Sequence, residues 1–185
     1  MRWVPFLILA WVLVLIQTTF GRALTIPTSS LGSIGPDLPA LLAVFVTFYV
    51  RTWPDAMLAA WALGLAMDLT SAGGTGASTA LGPMAIAYSV TAGLLFRVRE
   101  AFFRERALTQ GVLTLGFCLL AHGAWVTGQT FLAAGAVDWS AYGRVMLQAA
   151  ALACYTAMLM PLAHLGLGKI QRLFLATPVG PGRRG

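Results

Sequence analysis

The sequence predicts an all-α integral membrane protein of six transmembrane helices, with both the N-terminus and the C-terminus in the cytoplasm. Of its 185 residues, 58% are hydrophobic and 10% are charged, and the mean hydropathy is +0.80. Soluble domains carry about 25% charged residues, and a chain this poor in charge cannot cover a surface that faces water. Six apolar runs follow one another, at roughly residues 3–20, 36–50, 54–69, 78–96, 108–134 and 142–168.

The placement of positive charge supports this number of spans. With the N-terminus inside, the cytoplasmic segments hold ten of the twelve Lys and Arg residues, and the outer segments hold two. Membrane proteins carry such an excess on the cytoplasmic side. Fusing the second and third runs would move the basic cluster at 97–106 outside, so five spans fit worse. The sequence therefore predicts a six-helix transmembrane domain, 1–170, and a basic Pro- and Gly-rich tail, 171–185, that is expected to be disordered.

The first three runs are interpreted as three separate helices. Run 3–20 is long enough to span and no small-x-small cleavage site follows it, which favours an uncleaved helix over a signal peptide. The second and third runs are short, but Pro54 favours a new helix, because proline is preferred in a first turn and poor in a helix interior. At the start of the second run, Asp37 follows Pro36. An acid at this position predicts a helix cap.

Small residues recur every four positions along the third run, and the series ends in an acid. This spacing puts them on one helical face, where small residues let a neighbouring helix approach closely. The series predicts either tight packing inside the bundle or a docking face for another protein. It consists of Ala56, Ala60, Gly64 and Asp68. A second series, on the sixth run and open to the same two interpretations, consists of Ala149, Ala153, Ala157 and Pro161.

The stretch after Asp68, LTSAGGTGAST, contains mostly small and hydroxyl residues. Irregular backbone is tolerated at membrane depth only where protein or water covers it, so a re-entrant segment is expected there. Three roles stay open for Asp68: a loop anchor that accepts from Thr70, Ser71 and loop N–H groups, a polar binding site, or a proton or ion relay. Asp37 and Asp68 both fall on the outer side, which predicts a shallow polar depression. The residues assigned to loop structure are Pro36, Leu69, Gly73, Gly74 and Gly76.

The connection after the fourth run, FRVREAFFRERALTQ, is amphipathic. Such a segment lies in lipid headgroups or contacts a cytoplasmic protein, and basic side chains there attract anionic lipid. The residues assigned to inner-leaflet lipid are Arg97, Arg99, Arg104 and Arg106.

From the remaining polar residues, we predict no catalytic residue, no metal site and no cofactor site. His122 and His164 are expected to form hydrogen bonds inside the bundle. Cys118 and Cys154 fall within spans and are expected to be buried free thiols. A metal site requires a cluster of ligands at suitable spacing. An intramembrane Ser–His protease would require a G-x-S-G motif, which does not surround Ser71.

Two stretches carry a family resemblance: GPDLPALLAVFVTFYVR, 35–51, and WPDAMLAAWALGLAMDLTSAGGTGASTALGPMAIAY, 53–88. The first contains a Pro-Asp pair at the second span. The second contains a G-x-x-x-D-L turn followed by small residues. Together they resemble the rod shape-determining protein MreD family, over about a third of the chain in motif and over all of it in length and topology. The matching positions are Pro36, Asp37, Gly64, Asp68, Leu69 and Gly76.

The resemblance implies a non-enzymatic scaffold in the bacterial inner (cytoplasmic) membrane, without a cofactor. It implies binding to MreC within a wider complex of MreB, the RodA glycosyltransferase and its penicillin-binding transpeptidase, in support of peptidoglycan synthesis and rod shape. It also implies a fold similar to the S components of energy-coupling-factor vitamin transporters. The candidate contact residues for MreC are Ala56, Ala60, Gly64, Asp68 and Asp37.

The implied fold leaves a rival function, that of a substrate-binding S component. Asp37 and Asp68 would then line an outward-facing cavity for a vitamin. However, few polar and aromatic residues are placed to converge on a ligand. The first span also lacks the A-x-x-x-A docking face of S components, because its corresponding stretch reads AWVLV, 10–14. The scaffold interpretation is therefore favoured.

Overall fold

Six α-helices make up most of the computed structural model, which describes residues 1–29, 32–71, 81–99, 107–132 and 138–174. This confirms the prediction of a mostly helical chain. Within the described ranges, the helices Trp3–Phe20, Ala107–Leu132 and Trp139–Phe174 contain stretches long and apolar enough to cross a membrane, as judged from length and composition. The helices are α1 (Trp3–Phe20), α2 (Leu38–Tyr49), α3 (Trp53–Ser71), α4 (Pro83–Val98), α5 (Ala107–Leu132) and α6 (Trp139–Phe174).

The connection between α1 and α2 contains a small hairpin that the hydropathy pattern does not predict. Its strands have three residues each, too few for an alternating pattern to stand out. Two side chains of the last helix bond to this connection: the Tyr155 hydroxyl donates to the Leu24 carbonyl before the hairpin (3.1 Å), and Gln148 donates to the Ser33 carbonyl within it (3.3 Å). The elements are a 3-10 helix (Gly21–Leu24), β1 (Ile26–Thr28) and β2 (Gly32–Ile34).

Helix α2 has the short length that the sequence predicts, whereas α3 and α6 are longer than their predicted runs. Helix α2 has 12 residues, so it is short as predicted, at about 18 Å against a hydrocarbon core of about 30 Å. Helix α3 has 19 residues and continues past Asp68 to Ser71, so the prediction of a short third helix, based on the run 54–69, is wrong. Helix α6 extends to Phe174, which places the predicted domain boundary at 170 inside a helix.

Helix α2 forms the centre of the bundle. Every residue from Pro39 to Phe48 is buried, as expected of a helix that is hydrophobic on all sides. Helices α1, α3, α4, α5 and α6 all contact it, while α3 packs most extensively on α4, and α5 on α6. The outer helices direct large apolar side chains away from the bundle, for example Trp11, Ile86 and Leu162.

The small-residue series on α3 packs inside the bundle. Ala56 and Ala60 are fully buried. A Cβ added at Gly64 would lie 2.6 Å from the Met84 carbonyl oxygen, so the backbones of α3 and α4 touch at this position. The internal-packing interpretation therefore describes the structure. Contact of MreC with this face stays a prediction, and it would require α4 to move away.

Candidate functional site

A buried carboxylate, Asp37, lies where α2 begins. Its side chain is 1% exposed and accepts a hydrogen bond from the Ala40 N–H (2.9 Å), which confirms the predicted cap. The Tyr88 hydroxyl donates to the same carboxylate, and His122 Nε2 lies 2.9 Å from Asp37 Oδ2. An ionised carboxylate only accepts, so it pairs with His122 only when Nε2 carries a proton. This confirms the prediction that His122 bonds within the bundle.

The backbone around Asp37 is also held by side chains of other helices. The Asp37 N–H donates to the Thr156 hydroxyl of α6 (3.0 Å). The Gln17 amide of α1 donates to the Pro36 carbonyl (2.9 Å) and accepts from the Leu38 N–H (3.1 Å). The first N–H groups of a helix have no partner within it, and lipid offers none. Gln17 of α1 and Thr156 of α6 accept from two N–H groups here, while Tyr88 of α4 and His122 of α5 contact the Asp37 carboxylate, so five helices meet at this point.

Asp68 caps a different helix. Its carboxylate accepts from the N–H groups of Gly82 (3.0 Å), Met84 (3.1 Å) and Ala85 (3.1 Å), at the N-terminus of α4. The positive end of the helix dipole favours an anion at this position. The proposed partner Thr70 donates instead to the Met67 carbonyl. Asp68 is thus a structural anchor, but it anchors α4.

The two acids do not form a shared outer depression in the described part of the chain. Both are buried, and each has its own set of partners. Along α4, Tyr88, which bonds to Asp37, follows Ala85, which bonds to Asp68, by three residues, or about 4.5 Å of helix. The re-entrant segment expected after Asp68, with Gly73, Gly74 and Gly76, lies outside the described residues. Pro36 is buried, and Leu69 is exposed on α3.

Removal of the α4 cap is expected to lower stability measurably. Asp68→Ala leaves three N–H groups without their acceptor, and loss of a helix cap costs about 0.5–2 kcal/mol. For a chain of this size that corresponds to a fall in Tm of roughly 1–8 °C. A thiol-reactive fluorophore can follow unfolding in detergent, because Cys118 is fully buried and the exposed Cys154 can be replaced by alanine. Thr70→Ala is the control, and an equal effect of both substitutions would refute the capping role.

Arg99 lies inside the bundle, which corrects its assignment to lipid. It is 5% exposed, and its Nη1 donates to the carbonyls of Thr47 (2.5 Å) and Val50 (2.7 Å) at the end of α2. The guanidinium carbon also lies 3.6 Å from the centre of the Phe96 ring. Arg99 therefore caps the C-terminus of α2, whose last carbonyls have no partner within the helix.

The other arginines of that cluster have different positions. Arg97 is exposed, and its guanidinium carbon lies 5.9 Å from the centre of the Trp53 ring, within cation–π range. Arg104 and Arg106 lie outside the described residues. Lipid contact of Arg97 stays a prediction.

Arg99→Lys is expected to destabilise the bundle although it keeps the charge. A lysine ammonium cannot reproduce the planar fork of donors or the stacking on Phe96. Hydrogen bonds to charged groups contribute about 1.5–3 kcal/mol each, so loss of one should lower the unfolding temperature by several degrees. The same fluorophore assay measures this, with Arg97→Lys as the exposed control. Equal unfolding temperatures for the two variants would show that Arg99 does not hold α2.

A second, smaller polar group lies toward the other end of the bundle. His164 Nε2 is 3.4 Å from the Tyr49 hydroxyl and 3.5 Å from the Gln110 side-chain nitrogen. These contacts join α2, α5 and α6, and they agree with the prediction that His164 bonds within the bundle.

Two apolar grooves flank α6. The groove between α5 and α6 has a volume of about 380 Å³, and the groove between α1, α2 and α6 about 250 Å³. Cys154 lies at the edge of the first groove and is exposed, so the prediction that both thiols are buried is wrong for this one. The described residues contain no group of three His, Cys, Asp or Glu side chains that could hold a metal ion.

The hydrogen-bonded residues around Asp37 form a buried contact between helices. Sequence reasoning missed three of its members, Tyr88, Thr156 and Gln17. The sequence could have indicated them in a general way, because an acid at membrane depth needs hydrogen-bond donors from other spans. Hydroxyl and amide side chains within apolar runs are the candidates for such donors. Which of them reach Asp37 depends on how the helices pack. The chain matches no family model, no curated protein and no solved structure.

Proposed function

We propose that this protein is a non-enzymatic membrane scaffold of the bacterial cell-elongation complex, which binds MreC and supports peptidoglycan synthesis and rod shape. The proposal begins from the likeness to the MreD family at Pro36, Asp37, Gly64 and Asp68. One observation carries it further: both acids accept hydrogen bonds from other helices of the same chain. Such motif positions serve to hold a bundle together, which a scaffold requires.

In the described part of the chain, the two grooves beside α6 lack the polar lining of a vitamin site, which supports the scaffold over the alternative. Ligand sites contain a few polar groups that converge on the ligand. The groove between α1, α2 and α6 is lined by apolar residues and Gly166, and the groove between α5 and α6 adds only the Cys154 thiol. Asp37, which the alternative places in an outward-facing cavity, is 1% exposed.

In this proposal, MreC binds to the exposed apolar faces of the outer helices. Each outer helix carries at least one large apolar side chain that points away from the bundle. In lipid, association of helices depends on packing of such surfaces and on the hydrogen bonds between them. Positions that sample four different helices are Trp11, Trp61, Ile86 and Leu162.

Affinity co-purification tests the proposal. The chain, tagged at its C-terminus, is isolated from its native membrane in mild detergent, and the co-purified proteins are identified by mass spectrometry. An untagged strain is the control. Recovery of MreC or RodA supports the scaffold. Recovery of paired ATPases and a transmembrane coupling subunit, without elongation proteins, would replace it with the S-component function.

Site-specific photocrosslinking then identifies the contact face. A photoreactive phenylalanine analogue is placed, one position at a time, at Trp11, Trp61, Ile86 and Leu162. A crosslink to MreC from one or two adjacent helices is expected, and unirradiated samples are the control. Absence of any MreC crosslink from all four positions, in variants that reach the membrane at normal levels, would contradict direct binding through the exposed faces of these four helices.

A further inference from the structure

The groove between α5 and α6 has an apolar lining and reaches down to the backbones of the two helices. An added Cβ at Gly111 would lie 3.5 Å from the Ala157 carbonyl oxygen, so the two backbones lie close together at the bottom. Val112 and Met158 form exposed walls on either side. The volume of about 380 Å³ falls within the range of ligand sites, about 300–1,000 Å³. The lining residues are Gly111, Val112, Leu115, Cys154, Ala157, Met158 and Pro161.

The same face of α6 leads from this groove to a cation. Met158, Pro161, Leu165 and Lys169 follow one another at spacings of three or four residues, so they share one side of the helix. Lys169 is exposed and lies eight residues beyond Pro161, or about 12 Å along the axis. The groove therefore begins about 12 Å from Lys169 along α6, at Pro161, and extends away from the lysine toward Cys154.

We propose that this groove binds an acyl chain of an anionic phospholipid, whose phosphate pairs with Lys169. The lining spans depths of about 12–22 Å from the lysine, where an acyl chain lies beneath its headgroup in a core of about 30 Å. A lysine can extend its ammonium to the headgroup level along its flexible stem. The apolar lining suits an acyl chain, and the cation at one end selects lipids with negative charge.

Lipid retention in native mass spectrometry tests the site. The protein is reconstituted with equal amounts of phosphatidylglycerol and phosphatidylethanolamine, then returned to mild detergent. The wild-type protein should retain phosphatidylglycerol in preference. Lys169→Gln should reduce this preference about fivefold, the effect of one basic residue near an anionic surface. Ala157→Phe, which fills the groove, should reduce retention of both lipids.

Matched controls separate the site from general effects of charge and volume. Arg144→Gln removes an exposed cation from the opposite end of α6, and Leu94→Phe enlarges an exposed apolar residue on α4. Both should retain phosphatidylglycerol as the wild-type protein does. If Ala157→Phe does not fold, Val112→Trp obstructs the groove from its exposed wall on α5.

Three outcomes would overturn the proposal. The first is equal retention of the two lipids by the wild-type protein. The second is equal behaviour of Lys169→Gln and Arg144→Gln. The third is a crosslink from a photoreactive residue at Met158 to a protein partner in the native membrane, because a helix would then occupy the groove. Selective retention that both groove and lysine variants reduce would establish a lipid site.

Discussion

Asp37→Leu is expected to leave little folded protein in the membrane. The substitution removes the cap of α2 and the acceptor for Tyr88 and His122, all within the bundle. Each buried donor left without its acceptor costs about 1–3 kcal/mol and loss of a helix cap about 0.5–2 kcal/mol, while typical proteins have only about 5–15 kcal/mol of stability. The measurement is the monodisperse fraction of a fluorescent fusion in size-exclusion chromatography, followed by the thiol assay on whatever remains folded.

The reason for this loss can be tested separately from the loss itself. If unpaired donors cause it, combining Asp37→Leu with Tyr88→Phe and His122→Leu should recover part of the stability, since an apolar core of similar volume can replace a buried polar network. If the triple variant is no more stable than Asp37→Leu, the helix cap is the dominant contribution. Either result identifies what the buried acid does.

An exposed cap provides the comparison. Asp138 precedes α6 and accepts from the Ser140 hydroxyl (2.7 Å) and from the N–H groups of Ser140 and Ala141. These hydrogen bonds, with that of the Ser140 hydroxyl the strongest, hold the pKa of the Asp138 carboxyl below its usual range. Because water can replace the lost acceptor, Asp138→Leu should change stability far less than Asp37→Leu. Equal losses would show that burial is not the decisive factor at Asp37.

The features that sequence alone predicts are those set by local rules. The limits of α1 coincide with the first apolar run, because hydrocarbon imposes both length and composition on a spanning helix. The cap at Asp37 follows from an acid behind a proline at a helix start. The series on α3 indicated close packing because its spacing is helical. Each of these predictions depends only on residues that are close to one another in the sequence.

The features that sequence alone misses depend on contacts between distant residues. Tyr88 and His122 are 51 and 85 residues from Asp37, and nothing in their local sequence identifies that partner. Arg99 belongs by composition to a basic loop, but it points inward because the end of α2 lies beside it and lacks donors. Helix α3 continues beyond Asp68 because the Asp68 carboxylate accepts hydrogen bonds from N–H groups of α4. The backbone of α3 therefore stays helical at this position. Such results depend on packing, which the apolar pattern does not specify.

Gly64→Ala is expected to separate α3 from α4. The new methyl group would lie 2.6 Å from the Met84 carbonyl oxygen and 2.8 Å from the Ala85 Cα. Both are backbone atoms, so no side-chain rotation can relieve the overlap, and one helix must move. Overpacking of this kind costs roughly 1–3 kcal/mol, which the thiol assay should register as a clear fall in unfolding temperature. Gly116→Ala is the matched control, because a Cβ there meets nothing within 4 Å and alanine favours a helix.

The movement caused by Gly64→Ala should also reach the α4 cap. Asp68 lies one turn further along α3 and bonds to the N–H groups of Met84 and Ala85, beside the atoms that the new methyl group displaces. A double-mutant cycle of Gly64→Ala with Asp68→Ala should therefore be non-additive, because the first change already weakens the bonds that the second removes. Gly116→Ala with Asp68→Ala should be additive. Additivity in both cycles would mean that close approach and capping are independent, and that α4 adjusts to the methyl group without moving its N-terminus.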